Sequence, residues 1–331
     1  MVELARRRPL PTHRLPGNPV GLLIAAGCVF LLVGSLVSTI FAQQTVAGLA
    51  TGAVYGSLAL ALVLIYRATE VINFAQGEMA MASVYVAYQL IHWGFSYWEA
   101  FFTTLAFALV VGIVIELALI RPVQQKSVIA VVIVTVGLFI LIDGIVDWIW
   151  GADIKFMPGP FGNQIYHVGA VSIARQDIGT LIVTLGSVAL LWLLFQYTKL
   201  GLAMRAAALR PAPARLVGVR VNAMLALGWG FAAVLGAVAG LMAEPAEFVL
   251  QPTLMQPILL YAFAAAVLGG LESPVGAVVG GLAIGVFLNL VGQYVHFVTS
   301  ELRPPFAFAV LLAVLLVKPT GLFGRRRVRK V

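Results

Sequence analysis

Long apolar runs, separated by short polar segments, repeat along this chain. The stretch from Leu15 to Tyr66 contains no charged residue, and a helix that spans lipid uses about 20 apolar residues. That stretch predicts two spanning helices, with a turn at Gln43, Gln44 and Thr45. Over the whole chain the pattern predicts about ten spans, within a range of eight to ten. They are residues 20–42, 48–66, 74–91, 101–120, 127–150, 178–197, 223–242, 255–271, 274–295 and 305–317.

The composition agrees with a chain that meets lipid. Of 331 residues, 61% are hydrophobic and 10% are charged, and the mean hydropathy is +1.02. A soluble domain carries roughly 25% charged residues, so a cytosolic enzyme and a secreted domain are excluded. Cys28 is the only cysteine, and the four histidines lack metal-ligand spacing. We therefore expect an all-α, polytopic integral membrane protein with no cofactor, no metal and no catalytic residue.

Basic residues are concentrated in alternate connections between the predicted spans. If ten spans are threaded with the N-terminus in the cytoplasm, 18 of the 21 Lys and Arg residues fall on the cytoplasmic side. This bias is the usual orientation signal of membrane proteins, and it explains the net charge of +8 without nucleic-acid binding. The predicted domains are a basic cytoplasmic tail at 1–19, a transmembrane domain at 20–317 with a cytoplasmic loop at 198–222, and a basic cytoplasmic tail at 318–331.

The loop at 198–222 carries five basic residues and no acid. Its alanine-rich pieces flank Pro211 and Pro213 and predict short helices at the cytoplasmic surface. Charge alone is typical of an ordinary connecting loop, whereas the length, the alanines and Gly218 favour a helix that docks on a partner. No glycine-rich phosphate-binding motif occurs in the chain, so a nucleotide motor would be a separate polypeptide.

A polar group opens the predicted span at 74–91. Asn73 and Gln76 have the spacing of a helix-capping pair, and Glu78 lies about one turn inside the span, where an ionisable side chain is costly and often functional. A helix N-terminus aimed into a cavity would also attract a substrate carboxylate. Capping and function both remain open for this group.

Glu116 is a second acidic residue within a predicted span. It lies five residues before Arg121, which is about 140° around a straight α-helix, so the two side chains are not expected to pair directly. We expect Glu116 to form a structural ion pair with a cation on another helix, and Arg67 is the candidate.

Glycines at intervals of four indicate close helix packing in lipid. Gly48, Gly52 and Gly56 show this spacing. Residues 269–276 are different, because Gly269, Gly270, an acid and a proline interrupt an apolar stretch. This segment is either a broken helix that lines a cavity or a tight cytoplasmic turn.

Four motifs, in this order, resemble those of the permease subunits of branched-chain amino acid ABC importers, the LivH/LivM family, and most closely its LivH branch. Residues 72–78 match the family's INFAHGE-like stretch, with Gln76 in place of the common histidine. The other matches are Glu116, Ala118, Arg121 and Pro122; Ala265, 267–270, Ser273, 276–277 and 280–281; and residues 319–325. Leu117 and Glu272 depart from the pattern.

The resemblance implies an ABC importer permease fold and a transport subunit in the inner membrane of a prokaryote, with no enzymatic activity of its own. The implied partners are ABC ATPase subunits, a second permease that is identical or LivM-like, and an extracytoplasmic substrate-binding protein. The candidates for the substrate path are Asn73, Phe74, Gln76, Gly77, Glu78, Gly269 and Gly270. The candidates for coupling to the ATPase are Arg205, Ala206, Arg210, Ala214, Leu216 and Gly218, although Arg210, Pro211 and Pro213 depart from the family's more acidic loop.

Other functions stay open at this point. A permease of the same superfamily with another cargo, such as urea, amides, sugars or nucleosides, has the same sequence features. An ion-coupled secondary transporter that uses Glu78 and Glu116, and a membrane scaffold that transports nothing, are further alternatives.

Overall fold

The computed structural model describes residues 19–124, 126–162, 164–247, 249–295, 298, 302–318 and 321–323. The predicted basic tails lie almost wholly outside this part. The helices are α1 Pro19–Val37, α2 Thr39–Thr69, α3 Gln76–His92, α4 Tyr97–Ile115, a π-helical turn Glu116–Ile120, α5 Arg121–Gln124, α6 Val128–Trp150, α7 Arg175–Tyr197, α8 Lys199–Leu209, α9 Pro211–Leu216, α10 Val221–Glu247, α11 Met255–Gly269, α12 Pro274–Tyr294 and α13 Arg303–Val317.

The connection between α6 and α7 contains the strands of the described part. Strands β1 (Ile165–Val168) and β2 (Val171–Ala174) pair antiparallel as a short hairpin. The hydropathy pattern did not predict this hairpin, because residues 165–174 do not alternate strictly between apolar and polar side chains.

The turn predicted at Gln43, Gln44 and Thr45 is wrong, because α2 runs through all three residues. The break falls at Ser38, whose side chain caps α2 by accepting a hydrogen bond from the Phe41 amide. Two of these three polar side chains form hydrogen bonds that are compatible with a continuous helix. The Gln44 amide donates to Gln293 on α12 at 3.2 Å, and the Thr45 hydroxyl donates to the Phe41 carbonyl.

Helix α2 lies at the centre of the fold and packs against α12 along a seam of glycines. A Cβ added at Gly52 would lie 2.8 Å from the Cα of Leu282, and one added at Gly48 would lie 2.6 Å from the Cα of Val286. Backbones approach this closely only where side chains are absent. The close approach increases the van der Waals contact between the helices, which matters because the hydrophobic effect does not drive helices together in lipid. Asn289 on α12 adds a polar tie by donating to the Thr51 hydroxyl at 3.0 Å.

Helix α10 is the second central element and carries α3 and α4 on its surface. The Tyr97 hydroxyl at the start of α4 donates to the Leu241 carbonyl at 3.0 Å. Ser96 caps α4 in a reciprocal box with Glu99, which explains why the helix begins four residues before the predicted span. Gly240 lets α10 approach the backbone of Ala80 on α3. These contacts fix α3 between α10 and the other helices.

One end of the bundle collects basic segments, and we call it the basic face. It holds the end of α2 with Arg67, the end of α4 with Arg121, helices α8 and α9, and the turn at Gly270. The guanidinium of Arg121 donates to the carbonyl of Asn222, and the amides of Leu322 and Phe323 donate to the carbonyls of Leu268 and Gly269. The positions that the charge pattern assigned to one side of the membrane therefore lie together.

The opposite end, which we call the hairpin face, holds β1 and β2. A β-bridge joins Lys155 to Leu250, and the ring of Phe161 packs edge-on against Trp98 at 5.7 Å between ring centres. The two faces are separated by the length of the long helices. Within the described residues, six helices have the length and apolarity to cross a membrane: Thr39–Thr69, Tyr97–Gln124, Val128–Trp150, Arg175–Tyr197, Val221–Pro245 and Pro274–Tyr294.

Candidate functional site

Helix α3 begins inside the protein, beside the middle of α10. The side-chain amide of Gln76 donates to the backbone carbonyl of Ala232 at 3.0 Å. Ala232 is the twelfth residue of the 27-residue α10. At 1.5 Å per residue, that point lies about 16 Å from the start of α10. The segment before Gln76 therefore carries the chain from the end of α2 to the interior, and α3 is a half-helix whose N-terminus is buried.

The polar residues around this N-terminus form a buried cluster. Asn73 is 1% exposed; its side-chain Oδ1 accepts from the Ala75 backbone amide at 3.1 Å, and its Nδ2 donates to the side-chain Oε1 of Gln76 at 3.2 Å. The capping-pair hypothesis is wrong in detail, because Ala75 occupies the N-cap position and no side chain caps the helix. Gln76 joins Asn73 to α10 instead, since its amide is turned toward Ala232.

Glu78 lies in the first turn of α3 and is 1% exposed. Neither of its carboxylate oxygens accepts a hydrogen bond among the described residues. Asp143 and Asp147 on α6 act on it electrostatically, and the amide of Gln256 on α11 lies beside it. Burying a carboxyl group near two other acids is costly, so helix stability does not explain this position.

The other candidates for the substrate path occupy two places. Gly77 packs against Leu259 on α11, where an added Cβ would lie 3.1 Å from a methyl carbon, and Phe74 is 42% exposed. Gly269 and Gly270 lie on the basic face, in the turn between α11 and α12. Gly270 has a φ of +98°, and the Ser273 hydroxyl caps α12 by accepting from the Gly276 amide. Of the two interpretations left open for residues 269–276, the tight turn describes their geometry.

An apolar cavity of about 290 Å³ lies between α3, α4, α6 and α10. Met79, Ser83, Phe107, Leu138 and Trp150 are among its lining residues. The Trp150 indole donates to the side-chain oxygen of Gln89 at 2.9 Å, and this bond holds the indole in place at the edge of the cavity. The cavity adjoins the Glu78 helix but has almost no polar surface of its own.

The loop at 198–222 folds into two short helices, as its sequence predicts. Thr198 caps α8, Pro211 is the first residue of α9, and Gly218 has a φ of +83°. Gly218 turns the chain from α9 toward α10 in a conformation that other residues adopt only with strain.

The six coupling candidates point in different directions. Arg210, Leu216 and Gly218 are exposed, with Leu216 at 89%. Ala206 and Ala214 pack inward in a small cluster with Val221. Arg205 also turns inward, and its guanidinium donates to the side-chain oxygen of Gln196 at 3.2 Å. No pattern in the sequence pointed to Gln196, because the break at Thr198 separates the two helices that carry this pair.

Glu116 and Arg121 form an ion pair at 3.2 Å, so the expectation of a partner on another helix is wrong. The physical reason is the π-helical turn, in which the Arg121 amide donates to the Glu116 carbonyl five residues back. This turn places residues i and i+5 on the same side of the helix. Arg67 is not part of the pair; it lies near Glu272 and Arg205.

The long apolar helices and the buried half-helix define a polytopic, α-helical membrane protein with a polar cluster in its interior. The family described as "Branched-chain amino acid transport system / permease component" matches residues 44–317. The chain belongs to this family: it is a permease component and not an enzyme. The family suggested by the four sequence motifs is therefore confirmed.

Individual relatives agree with this membership. The "High-affinity branched-chain amino acid transport system permease protein LivH" of Salmonella typhimurium is 32% identical over 305 residues, which cover 88% of this chain and 98% of the relative. The protein BraD of Pseudomonas aeruginosa, named with the same description, is 30% identical over 304 residues, with coverage of 88% and 98%. The solved structure "PsaBC from Streptococcus pneumoniae in complex with Fab" covers 88% of this chain and 97% of its own, with 15% identity and a TM-score of 0.48, too low to carry an argument.

Proposed function

We propose that this chain is the LivH-type permease subunit of an ATP-driven importer of branched-chain amino acids. The observation that carries this proposal is the family match over residues 44–317, because it includes both the buried α3 terminus and the α8–α9 segment. The names of the relatives support this cargo over urea, amides, sugars or nucleosides. They also favour an ATP-driven system over an ion-coupled transporter or a scaffold.

The partners follow from the same proposal. ATPase subunits bind on the basic face, a second permease that is identical or LivM-like lies alongside in the membrane, and an extracytoplasmic binding protein delivers the cargo to the hairpin face. The chain lies in a prokaryotic inner membrane with the basic face in the cytoplasm, since the predicted threading of ten spans assigns 18 of its 21 Lys and Arg residues to the cytoplasmic side.

We retain about ten crossings as the proposed topology, with both basic tails (1–19 and 318–331) in the cytoplasm. The shorter apolar helices Gly27–Leu36, Met255–Gly269 and Arg303–Val314, with α3, supply the four crossings beyond the six long helices. Helix α3 crosses only part of the bilayer as a helix, and the polar segment before it completes the passage. Such broken helices are tolerated where protein surrounds them.

The substrate path in this proposal passes the N-terminus of α3. The free amides of a helix N-terminus favour a negative group, and the carboxylate of an amino acid is such a group. Glu78 would attract the amino group of the same molecule, and the apolar side chains of α3 and α4 would accept its branched side chain. Asn73, Gln76 and Gly77 hold the terminus in position, and Phe74 borders its entrance.

Coupling in this proposal uses the exposed part of α8 and α9. Leu216 and Val217 on the basic face are 89% and 78% exposed, and a groove on an ATPase subunit would cover them. Arg210 and Gly218 lie in the same exposed stretch, while Arg205, Ala206 and Ala214 hold the stretch on the bundle. Movement of the ATPases would be passed through α8 to α2, α7 and α10, which α8 contacts, and would shift the bundle between outward-open and inward-open arrangements. Gly269 and Gly270 would serve as a packed turn at the inner end of the path.

Uptake by the reconstituted transporter tests the proposal. The chain is purified with its ATPase, permease and binding-protein partners and placed in liposomes with ATP inside. We expect labelled leucine, isoleucine or valine to accumulate only when binding protein and ATP are both present. Accumulation that needs a proton gradient and no ATP would contradict the proposal, as would transport of urea or ribose in preference to all three amino acids.

A further inference from the structure

A large cleft opens on the basic face between α7 and α12, above α2. Its volume is about 610 Å³, more than twice that of the apolar cavity, and its floor includes Leu64 of α2 and Gly228 of α10. Helices α7 and α12 both pack on α2, and α8 closes the cleft from the cytoplasmic end of the bundle. The cleft belongs neither to the α3 terminus nor to the exposed coupling surface.

The walls of this cleft are apolar and continue onto the lipid-facing surface of the bundle. Trp192 on α7 lines it and is 47% exposed, and Val275 on α12 lines it and is 57% exposed. Other exposed apolar side chains of α7, such as Leu190 and Leu193, extend the same surface. A hydrocarbon chain lying along α7 would therefore reach the cleft without crossing a polar barrier.

Two guanidinium groups lie at the polar end of the cleft. Arg67 and Arg205 both line it, and they repel one another, while Glu272 is the acid that acts on Arg67. The residues that line the cleft include these two cations and no acid, which gives its polar end an excess of positive charge. The Nε of Arg205 is buried and donates no hydrogen bond among the described residues, and its other nitrogens are directed to Gln196.

We propose that this cleft binds one anionic phospholipid, with the phosphate between Arg67 and Arg205 and the acyl chains along α7 and α12. A phosphodiester carries one negative charge, which neutralises the excess, and its oxygens match the planar donors of arginine. Basic pockets between membrane helices near the cytoplasmic surface suit such headgroups. A lipid in this position would stabilise α8 against α2 and α7. The inference rests on the cleft alone and is independent of the cargo.

Bromine quenching of Trp192 tests the proposal on the unaltered complex. The assembled transporter in detergent is titrated with phosphatidylglycerol or with phosphatidylcholine, each brominated on its acyl chains, and tryptophan emission is recorded. We expect saturable quenching by phosphatidylglycerol at a concentration at least fivefold lower than by phosphatidylcholine. The saturable component should disappear in Trp192→Phe. Equal quenching by both lipids, or a component that survives Trp192→Phe, would overturn the proposal.

Charge and volume variants separate the two parts of the site. Arg205→Gln should weaken phosphatidylglycerol binding about tenfold, while Arg220→Gln, an exposed position of the same basic segment, should leave it unchanged. Gly228→Leu should block binding without a change of charge, because an added Cβ there meets only a Met204 methyl carbon at 3.9 Å. Equal loss in Arg205→Gln and Arg220→Gln, or full binding in Gly228→Leu, would contradict the proposal. The proposal would also be contradicted if glycerol phosphate competed for the site as strongly as the lipid does, because that result would assign the site to a free phosphate.

Discussion

The carboxylate of Glu116 lies 3.2 Å from the guanidinium of Arg121 across a π-helical turn. Glu116 is almost fully buried, and the guanidinium of Arg121 also donates to the carbonyl of Asn222, at the start of α10. Arg121 therefore joins the helical segment that follows α4 to the start of α10. The pair also explains how a carboxylate is accommodated at this depth, since a paired and hydrogen-bonded charge costs less than an isolated one.

Arg121→Ala should destabilise the protein more than removal of both charges. The single change leaves Glu116 buried without a cation, which typically costs roughly 3 kcal/mol when a buried pair is broken. Glu116→Gln combined with Arg121→Gln leaves no unpaired charge and should recover much of that loss. Thermal unfolding of the purified protein measures both effects. A double variant with a Tm below that of Arg121→Ala would contradict this account of the pair.

Gly52→Ala should loosen the packing of α2 on α12. The added Cβ would lie 2.8 Å from the Cα of Leu282 and 2.9 Å from the Gly281 carbonyl oxygen, so the two backbones must separate. Overpacking of this kind costs about 1–3 kcal/mol. The matched control is Gly137→Ala on α6, where an added Cβ meets nothing within 4 Å and helix propensity favours alanine. Thermal unfolding should show a lower Tm for Gly52→Ala only.

Gly218→Ala should uncouple ATP hydrolysis from uptake while the complex still assembles. Gly218 has a φ of +83°, and alanine in that conformation is strained by about 1 kcal/mol, which shifts the exposed turn after Leu216. Uptake per ATP hydrolysed is the measurement. Gly94→Ala is the control, because Gly94 has a φ of +97° with nothing within 4 Å and lies on the hairpin face. Equal loss of coupling in both variants would indicate a general effect of backbone strain.

Glu78→Gln should lower uptake severalfold without loss of assembly. The change replaces a buried carboxyl group with an amide of nearly the same size, so the packing around α3 should be preserved. Substrate that relies on this charge at the α3 terminus would bind more weakly. Initial rates of leucine uptake in proteoliposomes measure the effect. The exposed Glu70→Gln should transport normally, and normal uptake by Glu78→Gln would leave Glu78 without a role in the path.

The proposed orientation predicts opposite labelling of the two faces. In a Cys28→Ser background, which removes the only cysteine, a cysteine at Arg215 should react with an impermeant maleimide only after the membrane is opened. A cysteine at Asp153, exposed on the hairpin face, should react in intact cells. The reverse pattern would place the basic face outside and contradict the proposed attachment of the ATPases.

The pattern of the sequence was sufficient for most helix positions and for the division of the chain between two faces. Helix α6 was expected at 127–150 and runs from Val128 to Trp150, and α12 was expected at 274–295 and runs from Pro274 to Tyr294. Both follow from local hydropathy and from proline, serine and glycine at the ends. The prediction of a turn at residues 43–45 was wrong. The side chain of Gln44 donates a hydrogen bond to Gln293, a residue 249 positions away, and local hydropathy does not reveal such a partner.

The sequence by itself determined that the chain is an apolar helical bundle with a basic end, and its motifs determined the family, because hydropathy, charge and motif order are local properties. Tertiary structure alone decided where α3 begins, since that depends on the contact between Gln76 and Ala232. It also decided that Arg205 turns inward to a cleft and that Glu116 reaches Arg121. Each of these depends on how neighbouring helices or turns are arranged in space, which neither spacing nor composition specifies.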